Sequence, residues 1–483
     1  MSRAANGSSD PIQQLRKEMG FWDVLLFNIA AVLGPRWIAA AAHNGTSSIS
    51  LWMLAAVFFF VPMAFVVTEL STRFPHEGGL YVWSKEAFGE FHGFVAGWTY
   101  WTYSFFYFPG LLAASAGMAA FMGGSSWAHF AQDRAFLLWG SVGLLFVAVA
   151  MNIVGLNIGK WLQNAGGVGT YIPLLLLVGA AVAIWWKQGS ATKFTWSNIW
   201  PVWNWDTVNF WPQIAFAFTG LELASAMSDE IRDARRTLAR ATWASGLLIA
   251  VMYIAGTTAV LVILENTKVF PDSGVYQALT IASGALRVAL LGMIAAILVT
   301  FGNAGGVGTT VAGLSRVPFI VGVDRYLPAA FGKIHPKWRT PYIAILVQAV
   351  ISTIVLLLCQ IKESPQSAYQ FLVDAATILY FVPFLYMYAG VIRLASRKDR
   401  GENEHAVLIP AGKAGAWIAG GLGFLVTVAG IVLSLIPPGE TPNKLVFEIK
   451  LVSGTVATVL VGLLLYVRGA RAKAREIRPA SAV

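Results

Sequence analysis

Residues 21–42 are apolar enough and long enough to cross a bilayer, which takes about 20 such residues. In their middle stands Gly34-Pro35-Arg36. Proline removes a helix hydrogen bond and pushes the residue before it out of helical geometry. An arginine at mid-bilayer costs about 2.5–3.5 kcal/mol on insertion scales. Irregular backbone at that depth persists only where it is buried in protein or lines a wet cavity. The segment therefore predicts a broken membrane helix beside a small polar cavity.

The remaining chain fits that reading. Of 483 residues, 57% are hydrophobic and 12% charged, with mean hydropathy +0.64. Soluble domains carry about 25% charged residues, so the composition predicts an all-α polytopic membrane protein. Many of the 19 tryptophans sit near segment ends, as interfacial anchors do. The net charge of +10 fits membrane orientation and contact with anionic lipid. No basic soluble segment suggests nucleic acid as a partner. The single Cys359, expected to pack in an apolar segment, excludes an intrachain disulfide framework or a multi-cysteine metal site. The polar start predicts no cleavable signal peptide.

Twelve transmembrane helices are expected, near 20–46, 49–73, 87–122, 135–158, 161–187, 207–228, 240–264, 277–311, 340–359, 368–394, 412–436 and 446–468. With both termini cytoplasmic, Lys and Arg concentrate on the inner segments, as at Arg232, Arg235, Arg236 and Arg240, then Arg316, Arg325, Lys333, Lys337 and Arg339. The expected organisation is a cytoplasmic start (1–19), five spans (20–187), five more (207–394), two additional spans (412–468) and a cytoplasmic tail (469–483). The layout suits a bacterial inner membrane. The Trp-rich stretch 194–206 reads as an external interfacial loop, with a lid over the cavity as the alternative.

The sixth span repeats the anomaly of the first. Gly220 interrupts it and Glu222 follows two residues later. Gly-interrupted segments heading two sets of five spans point to an inverted repeat with its site where the broken helices meet. Half-helix N-termini offer N–H groups to a carboxylate, and unwound carbonyls offer acceptors to an ammonium. Such a pair suits an amino acid.

Three stretches carry a resemblance. They are Glu69 to Gly89 with Gly93 and Gly97-Trp98; Phe216-Ala-Phe-Thr-Gly-Leu-Glu222 with Asp229-Glu230; and Ser315-Arg316, Asp324-Arg325, Leu327-Pro328 and Thr340-Pro341. With these the chain resembles the amino acid–polyamine–organocation transporter superfamily over its whole length. The resemblance implies the LeuT-type 5+5 inverted repeat, with helices 1 and 6 broken, and alternating access by exchange or proton linkage. It places substrate among spans 1, 3, 6, 8 and 10. The family's first-span Gly-Ser/Thr-Gly cradle falls on Gly34, Pro35 and Arg36. Pro35 has lost an N–H, and Arg36 brings a guanidinium fork able to hold a carboxylate. The surrounding pattern weakly resembles the glutamate/GABA antiporter branch. The plainer alternative pairs Arg36 with a protein carboxylate such as Glu222, or lets it snorkel.

By the same resemblance Phe216 matches an aromatic gate, the carbonyls of Val32 and Thr219 face a substrate amine beside Gly220, and Glu222 matches a residue of coupling and gating. Asn303 and Thr310 in the small-residue stretch 302–310 are either cavity wall or close helix packing. Tyr103 is a pocket residue within the aromatic run 100–108. Thr170 stands where some proton-coupled relatives carry lysine, which favours exchange, uniport or a proton held elsewhere. No cofactor and no metal are expected. The six histidines are scattered without ligand spacing, and no P-loop is present, so neither an enzyme nor an ATP-driven pump fits. A polyamine or cationic amino acid carrier, and a sensor or channel on the same fold, remain as alternatives.

Overall fold

In the computed structural model, residues 11–201, 205–271, 273–288, 290–359, 365–397, 406–436 and 443–477 are described. Among them the regular structure is helical, apart from one parallel bridge between Met19 and Ile231. Ten helices among the described residues are long and apolar enough to cross a membrane. Two more elements complete the expected twelve: the shorter Tyr342–Cys359, and a sixth span divided into Trp205–Ala217 and Leu223–Glu230. The first span is divided as expected, into Phe21–Val32 and Pro35–His43, with Leu33 and Gly34 extended between them. Pro35 opens the second half, where its missing N–H costs nothing.

The eighth span differs from expectation. The apolar run 277–311 is two helices, not one. Gly274–Leu286 ends where Arg287 turns left-handed (φ 56°), and the span itself is Leu291–Val323. Hydropathy continues across the turn and so hides it. The same shift moves Arg316 from a presumed loop into the span, where it is fully buried against Glu230. A further short helix, Leu80–Phe88, precedes the third span, Glu90–Ala119. The Trp-rich loop turns outward, with Trp196 and Trp200 exposed. It is tied to the start of the second span, where Thr46 and Ser50 hydroxyls donate to the Asn198 and Ile199 carbonyls, each at 2.6 Å. Its side chains from 202 to 206, and that of Cys359, lie outside the described residues.

The two small-residue stretches meet. A methyl group added at Gly166 of span five would fall 2.6 Å from Gly305 Cα, and one at Gly302 would fall 2.9 Å from the Gly169 carbonyl carbon. Backbone rests on backbone along this seam, the geometry that small residues permit. It carries span eight against span five and holds Gly306 beside Ala30 of the first span.

Candidate functional site

The two breaks face each other. Span six unwinds from Phe218 to Glu222, and Gly220 sits at φ +121°, where a Cβ would be strained and 2.9 Å from Val32 Cγ2. A glycine at this point lets the two unwound segments touch. The half-helix starting at Pro35 brings its positive end to the break, and the half-helix ending at Ala217 brings its negative end.

Between them lies a small cavity lined by Val32, Trp37, Tyr103, Tyr107, Phe216 and Tyr380, with Thr219, Gly220 and Thr310 on its wall. Phe216 meets Trp37 edge-on at 5.7 Å and Tyr380 at 5.5 Å, and Tyr103 lies 4.1 Å from Tyr380. The rings come from four spans and form an aromatic box. Tyr107, Tyr103 and Tyr100 recur at helical spacing on one face of span three, a signal present in the sequence run 100–108. Thr310 bonds its own helix at Gly306 O, 2.9 Å away.

Arg36 stands beside this box. It is 8% exposed, and its guanidinium carbon lies 4.4 Å from the Trp37 ring centroid and 5.1 Å from that of Tyr107. Its Nε has no hydrogen-bond partner. Among the described residues no carboxylate pairs with it. The alternative pairing with Glu222 is not formed. Glu222 accepts instead from Tyr380 Oη at 2.5 Å, Tyr100 Oη at 2.9 Å and the Gly220 amide at 3.0 Å. Cation–π contact offsets part of the cost of burying a cation, yet the buried Nε is left without an acceptor.

Sequence reasoning missed Tyr253 of the seventh span. Its hydroxyl accepts from the Gly34 amide at 3.2 Å and lies within donor range of the Val32 carbonyl (2.6 Å) and the Ala217 carbonyl (2.9 Å). One side chain thus serves both breaks. Nothing in its apolar surroundings (Ala250 to Thr257) distinguishes it from a packing tyrosine. Trp37 and Tyr380 also went unnoticed, and Tyr100 stood only as part of the aromatic run 100–108. Two expected site residues stand apart from the cavity: Thr170 is buried where a methyl added at Gly302 would meet its hydroxyl at 2.7 Å, and Asn303 is half-buried on span eight. Gly34 and Pro35 form the break without lining the cavity, and Arg36 and Glu222 touch lining residues (Trp37 and Tyr107, and Tyr380) without lining it themselves.

On the face where the chain begins, charged side chains are paired. Arg316 forks onto Glu230 at 2.8 and 3.1 Å. Glu77 and Asp229 exchange amide-to-carboxylate bonds at 3.0 and 3.1 Å. Burial and the neighbouring Glu230 push the Glu77 carboxyl well above the usual range, against the pull of Arg316.

A helical membrane bundle with two facing breaks beside a small cavity is the architecture of a membrane transporter of small molecules. The chain belongs to the amino acid permease family, whose model matches residues 19–457. It is 25% identical over 451 residues to an uncharacterized transporter of Legionella pneumophila, covering 92% of this chain and 96% of that one. It is 27% identical over 366 residues to the serine/threonine exchanger SteT of Bacillus subtilis, covering 71% of this chain and 77% of SteT. With the probable agmatine/putrescine antiporter AguD of Lactococcus lactis it shares 19% identity over 453 residues, covering 94% and 95%. Family and relatives are transporters, not enzymes.

Proposed function

We propose that the chain is a secondary-active amino acid carrier that works by alternating access, by exchange or proton linkage. It binds substrate between the broken first and sixth spans. Both termini are cytoplasmic in a bacterial inner membrane, and 20–187 and 207–394 act as the two inverted repeats. The carrying observation is Arg36: a buried guanidinium beside the cavity, with no carboxylate among the described residues to neutralise it. A substrate carboxylate supplies the missing acceptor, at the same end as the positive pole of the half-helix at Pro35. The aromatic box closes over the substrate body. The exchanger and antiporter activities named for SteT and AguD support counterflow. A polyamine lacks the carboxylate and is repelled by Arg36, so the amino acid reading is the stronger.

The test is counterflow in proteoliposomes with L-glutamate, L-serine, L-alanine and putrescine, repeated in Arg36→Ala. Loss or shift of amino acid preference in the variant places Arg36 in the site. Unchanged preferences make Arg36 structural and remove the case for a carboxylate contact. Absence of counterflow in the unmodified protein with every probe would sink the carrier reading itself.

A further inference from the structure

The Tyr253 hydroxyl offers the two breaks the same chemistry an amino acid would bring. Toward Gly34 N–H it is an acceptor, as a carboxylate is. Toward the Val32 and Ala217 carbonyls it is a donor of one proton, shared between them or held by one at a time, where an ammonium would offer a proton to each. These are groups that a broken helix leaves without intrahelical partners, and leaving such groups buried and unpaired is costly. The ring is held in place independently of its hydroxyl. It stacks on Trp52 at 4.3 Å and 3°, and meets Phe218 edge-on at 5.3 Å. Trp52 is itself fixed through its indole N–H to Thr257 Oγ1 at 3.0 Å. Tyr253 is fully buried.

We propose that Tyr253 is a built-in stand-in for substrate head groups: a tether through which the two breaks close on each other without ligand, so that the carrier can return unloaded and support net flux as well as exchange. The tether itself follows from the hydrogen bonds. Its link to net flux rests on the carrier reading above. With substrate present, ammonium and carboxylate can take over the same peptide groups, so loss of the hydroxyl weighs mainly on the unloaded protein.

Tyr253→Phe keeps the ring, its stack on Trp52 and its edge contact with Phe218, and removes only the hydroxyl. Two readouts separate the claims. The first needs no substrate: in a Cys359→Ala background with Thr310→Cys as a reporter on the cavity wall, alkylation by a water-soluble maleimide is timed without amino acid. Tyr253→Phe is expected to speed labelling about tenfold, the effect of one buried hydrogen bond on an equilibrium. An unchanged rate overturns the tether. The second compares counterflow with zero-trans net uptake of L-glutamate, L-serine and L-alanine. Net uptake is expected to fall about tenfold more than counterflow. An equal fall in both overturns the stand-in role, even if labelling has accelerated. Thr257→Val frees the Trp52 indole but leaves the hydroxyl, and is expected to preserve the ratio of net uptake to counterflow. A ratio shifted as far as in Tyr253→Phe assigns the effect to packing and overturns the proposal. If labelling accelerates but the unmodified protein moves none of the probes, the carrier reading fails while the tether stands.

Discussion

Arg316 and Glu230 form a two-pronged ion pair, Nε to Oε2 at 2.8 Å and Nη2 to Oε1 at 3.1 Å, with both side chains almost wholly out of solvent. The remaining nitrogen of the fork donates to Ala312 O and Ser315 Oγ. The pair joins span eight to the second half of the broken sixth span, and the backbone of Glu230 in turn accepts from Glu18 and Met19 of the N-terminal lead. The face where the chain starts is thus fastened around one cation.

Removing one partner of a buried pair strands the other charge. Arg316→Ala is expected to destabilise the protein by about 3–5 kcal/mol, read as a large drop in thermal midpoint in detergent. Glu230→Gln retains a hydrogen-bonding shape and should cost less. Equal, small losses in both variants would contradict the geometry.

Glu77 gives this fastening a pH dependence. It faces Glu230, Asp229 and Arg316, and its carboxyl is pushed up by burial first and by Glu230 second. A carboxyl that binds its proton more tightly folded than unfolded stabilises the fold at low pH. That contribution is lost as pH rises from the ordinary carboxylate range, about 4.3, through the raised folded value. Thermal stability should therefore decline with rising pH across that window, and Glu77→Gln should flatten the decline. A slope that persists in Glu77→Gln assigns it to other groups.

Gly220→Ala places a Cβ at φ +121° and 2.9 Å from Val32. Strain of this kind costs about 1–3 kcal/mol, and the clash pushes the two breaks apart. Transport in vesicles should fall sharply while the protein still folds, as judged by size-exclusion behaviour. Normal transport in Gly220→Ala would mean that the breaks need not touch.

Tyr100 and Tyr380 hold one oxygen of Glu222 from spans three and ten. Tyr380→Phe or Tyr100→Phe alone leaves one hydroxyl in place and should cost about 1–3 kcal/mol. The double variant should cost more than either single one. The check is a double-mutant cycle on thermal stability, and single variants without effect would make the tyrosines mere packing.

What the sequence made legible follows from chemistry that is costly in a membrane. Gly34-Pro35-Arg36 and Gly220 with Glu222 violate the rules of a spanning helix, and so announced both breaks. The small-residue stretch 302–310 announced close packing as one of its two readings, but nothing in the sequence named the stretch around Gly166 as its partner. Arg287 escaped notice because a left-handed turn leaves hydropathy unchanged. Arg316 was assigned to a loop because its neutralising partner, Glu230, is 86 residues away in the chain. Tyr253 and Tyr380 were invisible for the same reason: a tyrosine in an apolar helix takes its role from the backbone or carboxylate it reaches, and those lie on other helices.

The seam between spans five and eight has a mechanical corollary. Where helices mesh through side chains, a small displacement is absorbed by changes of rotamer. Gly166, Gly169, Gly302 and Gly305 have no rotamers to change, and their main chains already touch. A push on span eight at these points therefore meets the main chain of span five directly, with no side chain between them to yield.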